Sequence, residues 1–269
     1  MIKLVALDLD NTLLTNDKKI SKVNERALKA LSAKGVKVVM CTGRPINVIW
    51  HFIEQLGLTA DDDYTITFNG ALVINNNSRQ AIAKQGMSKA DLEPIYDFCK
   101  QNNYPLDVLS FEKVYPITDL MKSTYKLNGD IKFEPTTFEE LPEQTYAKAV
   151  ASQKPALLDK MAAELTPDLR KNYQLYHVVR SQPHILEFLS LTTDKAVGLH
   201  ALLQHFGWDE SNLMAFGDAE NDAGMLQKAA VGVAMANSQP EIAALAKYHT
   251  GTNEEDGVAE FVDKYFKLS

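Results

Sequence analysis

The chain has 269 residues, 45% of them hydrophobic and 23% charged, with a formal net charge of −7. That length admits one large domain or two ordinary ones, and the composition is that of a soluble globular protein. The acidic balance leaves no footprint for nucleic acid, and no apolar run approaches the roughly 18 residues of a membrane span, so neither partner is expected.

The start, "MIKLVALDLDN", meets two acids too early for a signal-peptide core. Cys41 and Cys99 lie far apart and show no metal-ligand spacing. A disulfide framework is therefore not expected, and a cytoplasmic location is. Cys41 reads as a small buried residue at a strand end rather than as a nucleophile.

Ile2 to Asp8 reads as a buried strand, with Asp8 and Asp10 at its carboxyl end. Asn24 to Lys34 reads as a helix closed by Gly35, and Val36 to Met40 as a strand running into "CTGR". Asn47 to Leu56 reads as a helix, and Tyr64 to Phe68 as a third strand stopped by Asn69-Gly70. Strands and helices alternating at these lengths predict a parallel sheet covered by helices.

The middle of the chain changes character. "VINNNSRQAIAKQ" is hairpin material with Asn-rich turns. A helix over Lys89 to Gln101, a patchy region with Tyr and Pro, a helix over Pro155 to Glu164 and two short strands in "YQLYHVVRS" and "HILEFLS" follow. They predict a separate α/β module with a mixed or antiparallel sheet over residues 84–188. The first pattern then resumes. Lys195 to Phe206 is a helix, Leu213 to Phe216 a strand entering "GDAEND", and Asn221 to Lys228 a short helix. Val231 to Met235 is a strand, and Pro240 to Ala246 and "GVAEFVDKYF" are helices. A doubly wound core is expected from residues 1–83 and 189–269, with the module of residues 84–188 inserted in it.

The carboxyl ends of strands are where open α/β sheets place their sites. Asp8 and Asp10 there repel each other unless a cation or hydrogen-bond donors compensate, although an acid pair at a surface turn has the same spacing. Asp218 and Asp222 follow a second apolar strand at the same edge, with Gly217 permitting a tight turn. Four carboxylates at such an edge point to a hard cation, and Mg²⁺ is the natural ligand of oxygen donors. Helix capping by Asn221 or Asp222 stays open for one of them. Thr42 and Gly43 offer a hydroxyl and a backbone N–H suited to an anionic oxygen. Arg44 fits a phosphate contact or a salt bridge equally. Lys195 is either a usable charge at a helix start or a solvated lysine.

The set resembles the haloacid dehalogenase superfamily of phosphohydrolases, in the branch of Cof-type sugar and small-molecule phosphatases. Asp8, Asp10 and Thr12 in "DLDNTLL" match its first motif, Thr42 in "VVMCTGR" its second and Lys195 in "TTDKAVGL" its third. Gly217, Asp218, Asn221 and Asp222 match the fourth. "FNGA" and "TNEEDGVA" also resemble this branch, and Ala196 departs from it where relatives commonly carry glycine. The long interval from Thr42 to Lys195, 153 positions against 32 from Asp10 to Thr42, places the insert at the family's C2 cap position, of the C2B type.

The resemblance implies a Rossmann-like core and a phosphatase reaction through an aspartyl-phosphate. Asp8 is the implied nucleophile and Asp10 the general acid. Asp8, the Asp10 carbonyl and Asp218 are the implied Mg²⁺ ligands, with Asp222 behind them. Thr42 and Lys195 are expected on the phosphoryl oxygens, and Gly43, Arg44, Asn69 and Asn221 at the substrate. The expected substrate is a small phosphorylated metabolite, a sugar phosphate first. Pyridoxal, flavin or nucleotide phosphates, a phosphomutase reaction and a silent metal-binding module are the alternatives. His184, Tyr176 and Glu187 are unranked candidates for contacts from the cap, and Tyr104, Tyr115 and Tyr125 fit its core or its surface equally. A monomer or homodimer is expected. No GxGxxG follows the first strand, which argues against a dinucleotide enzyme.

Overall fold

The structure, a computed structural model, describes residues 1–127, 131–165 and 176–268. The chain divides into two compact units. One comprises Met1–Arg44, Ile49–Lys84 and Asp194–Ser269, the other Pro45–Val48 and Gln85–Thr193.

The first unit opens with strand β1 (Leu4–Leu7), buried along its whole length. Helix α1 (Lys22–Ala33) starts two residues before the expected Asn24, because the Ser21 hydroxyl caps it by accepting from Asn24 N at 3.0 Å. Strand β2 (Lys37–Met40) and helix α2 (Trp50–Leu56) follow, and α2 stops on Gly57 in the left-handed region. Strand β3 (Tyr64–Thr67) meets the β2 edge in parallel, as expected, but has a second partner. It pairs antiparallel with β4 (Leu72–Asn75), which pairs antiparallel with β5 (Ala81–Lys84). The Asn-rich hairpin thus adds to the third strand. A parallel bridge between Cys41 and Ile66, with Thr42 N donating to Ile66 O at 3.0 Å, links β3 to the strand β2 edge.

The second unit contains helix α3 (Lys89–Asn102), strands β6 (Asp107–Leu109), β7 (Lys113–Pro116), β8 (Lys132–Phe133) and β9 (Lys148–Ser152), helix α4 (Pro155–Glu164), and strands β10 (Tyr176–Gln182) and β11 (Ile185–Ser190). The sheet order is β10-β11-β9-β6-β7-β8, antiparallel except for the β7–β8 pair. Residues 173–175 of the expected strand "YQLYHVVRS" lie outside the described residues. The patchy region holds four short strands that no alternation announced.

Side-chain alternation gives this sheet two different faces. Val108, Tyr115, Ala149, Ala151, Leu186 and Phe188 pack with Leu92, Ile95 and Cys99 of α3 and with Leu158 and Met161 of α4. The opposite face carries Asp107, Lys148 and Glu187. Lys148 donates to Glu187 Oε2 at 2.9 Å, and Ser181 Oγ donates to Glu187 Oε1 at 2.9 Å. Burial raises the Asp107 carboxyl to about 6. Tyr104, Tyr115 and Tyr125 are buried, the Tyr176 ring meets Phe188 edge-on, and His184 is exposed at the β10–β11 turn.

The first unit resumes with helix α5 (Lys195–His205), strand β12 (Leu213–Gly217), a tight turn over Glu220–Asp222 and helix α6 (Ala223–Lys228). Strand β13 (Val231–Ala234), helix α7 (Pro240–Ala243), strand β14 (Tyr248–His249) and helix α8 (Gly257–Phe266) complete it. Helix α7 ends three residues before the expected Ala246. The parallel sheet has the order β14-β13-β12-β1-β2, so β1 lies between β12 and β2. Leu4, Ala6, Val39, Leu213 and Ala215 pack against Leu199, Leu202 and Leu203 of α5 and Met225 of α6. On the other face the Phe216 ring meets Phe261 of α8 with centroids 5.6 Å apart. Helices cover both faces, which is the doubly wound architecture. Among the described residues, no helix is long and apolar enough to cross a membrane.

Candidate active site

The chain leaves β1 one way and returns to its other side through β12. The carboxyl end of β1 is therefore the point where strand order reverses, and a crevice opens there. Asp8 follows β1, Asp218 follows β12 and Thr42 follows β2 within two residues. All three are buried.

Lys195 is the centre of the cluster. It is fully buried at the first position of α5, and Asp194 caps that helix by accepting from Ala196 N at 2.6 Å. Lys195 Nζ donates to Asp8 Oδ1 at 2.5 Å and to Asp222 Oδ1 at 2.6 Å. Burial works against the ammonium, but the Asp222 and Asp8 carboxylates outweigh it and raise its pKa. Lys195 is thus a buried, paired cation and not a solvated one. Ala196 fits the helix without strain on the cap. Gly70, at φ 96°, packs against this corner so closely that a Cβ would lie 2.0 Å from Asp194 O.

Asp222 is fully committed to the protein. Its Oδ1 takes Lys195, and its Oδ2 accepts from Asp218 N at 2.9 Å and Ala219 N at 3.0 Å. Asp222 stands at the N-cap of α6 but its side chain makes no cap bond to that helix; it holds the preceding Asp218 turn instead. Gly217 serves that turn by making room, since a Cβ there would lie 2.5 Å from the Asp222 side chain. Thr12 Oγ1 donates to Asp218 Oδ1 at 2.8 Å.

Carboxylate oxygens of Asp8, Asp218 and Asp222 lie within 4.8 Å of one another. Burial pushes Asp8 up to about 8 against the pull of Lys195, with Asp222 and Asp218 adding repulsion. Burial likewise pushes Asp218 up to about 6 against the Thr12 hydrogen bond, with Asp222 again repelling. Three carboxylates sharing one buried lysine fit a divalent cation: the donors are hard oxygens, and added positive charge relieves the remaining repulsion. Asp8 and Asp218 are the members with an oxygen to offer, because both oxygens of Asp222 are engaged.

Asp10 stands apart from that group. Arg44 Nε and Nη2 donate to its two oxygens, each at 2.7 Å, and Lys18 Nζ pairs with it at 2.8 Å. Partial burial opposes ionisation, but the bonds from Arg44 and Lys18 hold the carboxyl down at about 2. Of the two roles open to Arg44, the structure shows the salt bridge. Lys18 went unforeseen, and only its place in the turn after "NTLLTND" hints at it.

The other expected contacts form a third group. Asn221 Nδ2 donates to Asn69 Oδ1 at 3.0 Å, and a Cβ at Gly43 would lie 2.7 Å from the same oxygen. Asn69 holds a left-handed backbone at φ 56°, with its N–H donating to Thr42 O at 3.0 Å. Thr42 Oγ1 accepts from Arg44 N at 3.1 Å, which leaves the hydroxyl proton directed elsewhere. Cys41 is buried, and burial raises its thiol far above the ordinary range, so it takes no part as a thiolate.

This fold and this site define a hydrolase class. The sequence profile of the haloacid dehalogenase-like hydrolases matches residues 5–262, and the chain belongs to that family. It is 34% identical over 269 residues to a putative phosphatase of Streptococcus pyogenes, covering 98% of each chain. It is 29% identical to a Bacillus subtilis 5-amino-6-(5-phospho-D-ribitylamino)uracil phosphatase, covering 97% of this chain and 94% of that one. The solved structure of a haloacid dehalogenase-like hydrolase from Bacteroides thetaiotaomicron superimposes with a TM-score of 0.84 at 27% identity, covering 99% of this chain and all of that one. Family and aspartate cluster together make the chain a phosphatase.

Proposed function

We propose that the chain hydrolyses the phosphate monoester of a small polyhydroxylated metabolite, a sugar phosphate first, with Asp8 as nucleophile and Mg²⁺ as cofactor. The observation that carries this reading is the Asp8 carboxylate at the end of the central strand. One of its oxygens is held by Lys195, and Asp218 lies beside it.

Asp8 Oδ1 is fixed by the ammonium, so the remaining oxygen is the one that attacks phosphorus. The new O–P bond forms as the ester P–O bond breaks, and the leaving oxygen takes a proton. Water then attacks the aspartyl-phosphate, releasing inorganic phosphate and restoring Asp8. Asp10 is the proton carrier for both steps. As an ionised carboxylate it is ready to take the proton of the attacking water. To give a proton to the leaving oxygen it must part from Arg44 and Lys18. Thr42 and Lys195 are assigned to the phosphoryl oxygens. Asp8, the Asp10 carbonyl and Asp218 would hold Mg²⁺, with Asp222 fixing the Asp218 turn. The cation supplies charge neutralisation between an anionic nucleophile and an anionic substrate.

These groups act on the phosphoryl group common to every monoester. Substrate choice is therefore assigned to the inserted domain, residues 84–188, together with Gly43, Arg44, Asn69 and Asn221. The Bacillus relative named for a ribityl phosphate supports an open-chain polyol phosphate as the second reading. A panel of sugar, polyol and nucleotide monophosphates, assayed for phosphate release with Mg²⁺ and with EDTA, distinguishes the two. Asp8→Asn should abolish turnover while leaving the folded state intact. Wild-type turnover in that variant would refute the covalent route.

A further inference from the structure

We infer that Asn253, supported by Asn237, is a positioning residue for the loop that carries Asp8, Asp10 and Thr12; the inference rests on the phosphatase reading above. The loop has few good bonds of its own. Thr12 N reaches Leu9 O at 3.4 Å and Leu13 N reaches Asp8 O at 3.3 Å, and only the Leu14 N to Leu9 O bond is short, at 2.8 Å. Asn11 at its tip is left-handed, at φ 60°.

Two asparagine amides from a distant part of the sequence hold this loop. Asn253 Nδ2 donates to Leu14 O at 2.9 Å, and Asn237 Nδ2 donates to Asn11 O at 2.8 Å. The two are linked, since Asn253 N donates to Asn237 Oδ1 at 3.1 Å. The held carbonyls lie on either side of Thr12, whose hydroxyl bonds Asp218. Hydrogen bonds and the short stretch of backbone between them therefore lead from Asn253 to a carboxylate of the aspartate cluster.

Asn253 is suited to this task. It is 4% exposed, and Leu14 is fully buried, so the Leu14 carbonyl has no water to replace the amide. The turn behind it is stiff: Thr252 Oγ1 donates to Glu255 Oε2 at 2.8 Å, and Glu255 N donates to Thr252 O at 3.2 Å. A cleft of about 360 Å³ lies on this side of the loop, lined among others by Asn11, Asp218, Asn237 and Asn253. Buried Leu9, Leu13 and Leu14 anchor the loop from within, and the asparagine bonds fix its backbone on the cleft side. Losing the Asn253 donor frees Thr12 to drift from Asp218 and turns the Asp10 backbone away from the cluster.

The test uses Asn253→Asp, which keeps the shape and removes the donor, and Asn237→Ala at an exposed position. Thr12, the partner of Asp218 that Asn253 acts through, stands where loss typically matters by about 10–100-fold, and the lower end of that range is expected for Asn253. For Asn253→Asp, kcat on p-nitrophenyl phosphate should fall at least tenfold with KM within twofold, and Mg²⁺ affinity of the substrate-free protein, measured by calorimetry, should fall by about tenfold. Asn237→Ala should move both in the same direction by a smaller factor. A lower melting temperature with unchanged kcat and Mg²⁺ affinity would assign Asn253 a structural role only and overturn the inference. If Asn253→Asp fails to fold, unchanged kcat and Mg²⁺ affinity in Asn237→Ala overturns it equally. A wild-type protein without turnover would refute the phosphatase reading instead, and the Mg²⁺ titration would still decide the positioning role.

Discussion

Replacing Lys195 by methionine tests the electrostatic design of the site most directly. Its Nζ is buried 2.5 Å from Asp8 and 2.6 Å from Asp222, and no solvent reaches it. Methionine fills nearly the same space, so the loss is charge and hydrogen bonds rather than volume. Removing one partner of a buried ion pair costs about 3–5 kcal/mol, because the charge left behind has neither water nor counter-ion. For a chain of this size each kcal/mol corresponds to about 2–4 °C, which gives a fall of roughly 6–20 °C in Tm. The loss should also depend on pH. Burial and the neighbouring Asp222 and Asp218 carboxylates raise the Asp8 pKa above its unfolded value against the pull of Lys195, so Asp8 favours folding less as pH rises. Without the lysine its pKa rises further. The gap in Tm between wild type and variant should therefore widen from pH 6 to pH 9. Adding Asp222→Asn removes one of the stranded charges and should recover part of the loss, with a coupling of about 1–3 kcal/mol. Thermal unfolding by circular dichroism in EDTA measures all three proteins. A single variant as stable as wild type across pH 6–9, or a double variant whose losses simply add, would refute a charged, paired Lys195.

Gly70→Ala should destabilise the protein and lower phosphatase turnover, because the new Cβ would lie 2.0 Å from Asp194 O at the cap that places Lys195. Gly35→Ala is its control: it shares the left-handed backbone, at φ 82°, but meets nothing within 4 Å. It should cost only about 1–2 kcal/mol and leave turnover unchanged. Equal effects in melting and activity assays would remove the packing argument. Asp10, held at about 2 against an unfolded value of 3.8, contributes stability that is complete above about pH 5 and lost progressively as pH falls through 2. Melting curves of Asp10→Asn should therefore fall less steeply than wild type between pH 4 and pH 2, and parallel curves would show that the Arg44 and Lys18 pairs do not persist in solution.

The core was legible wherever local patterning and packing agree. Helix α4 matches its expected span, and α5 does so to within its capping residue, since capping, apolar spacing and length are local properties. Strand β3 lies parallel beside the end of β2, as expected, but it also pairs antiparallel with β4. That second partner depends on the chain that follows β3, and four buried residues carry no mark of it. Strands β6 to β9 are not legible because two to five residues, each either buried or at a strand end, leave no alternation to read. Lys18 and Asp194 escaped the site reading for a similar reason. A lysine in a turn and an aspartate before a helix are common residues, and only their neighbours make them part of the site.

By itself the sequence determined the chemistry available: carboxylates at strand ends, a lysine at a helix start, and an α/β core interrupted by an insert. Those follow from residue type and from periodicities within single elements. Only the tertiary structure decided how that chemistry is divided. It set Lys195 between Asp8 and Asp222, spent Asp222 on the Asp218 turn and tied Asp10 to Arg44 and Lys18. It also brought Asn237 and Asn253 onto a loop more than 200 positions away. The reason is physical. A carboxylate's role depends on which donors share its few ångströms of low-dielectric space, and contacts across the sheet set those distances.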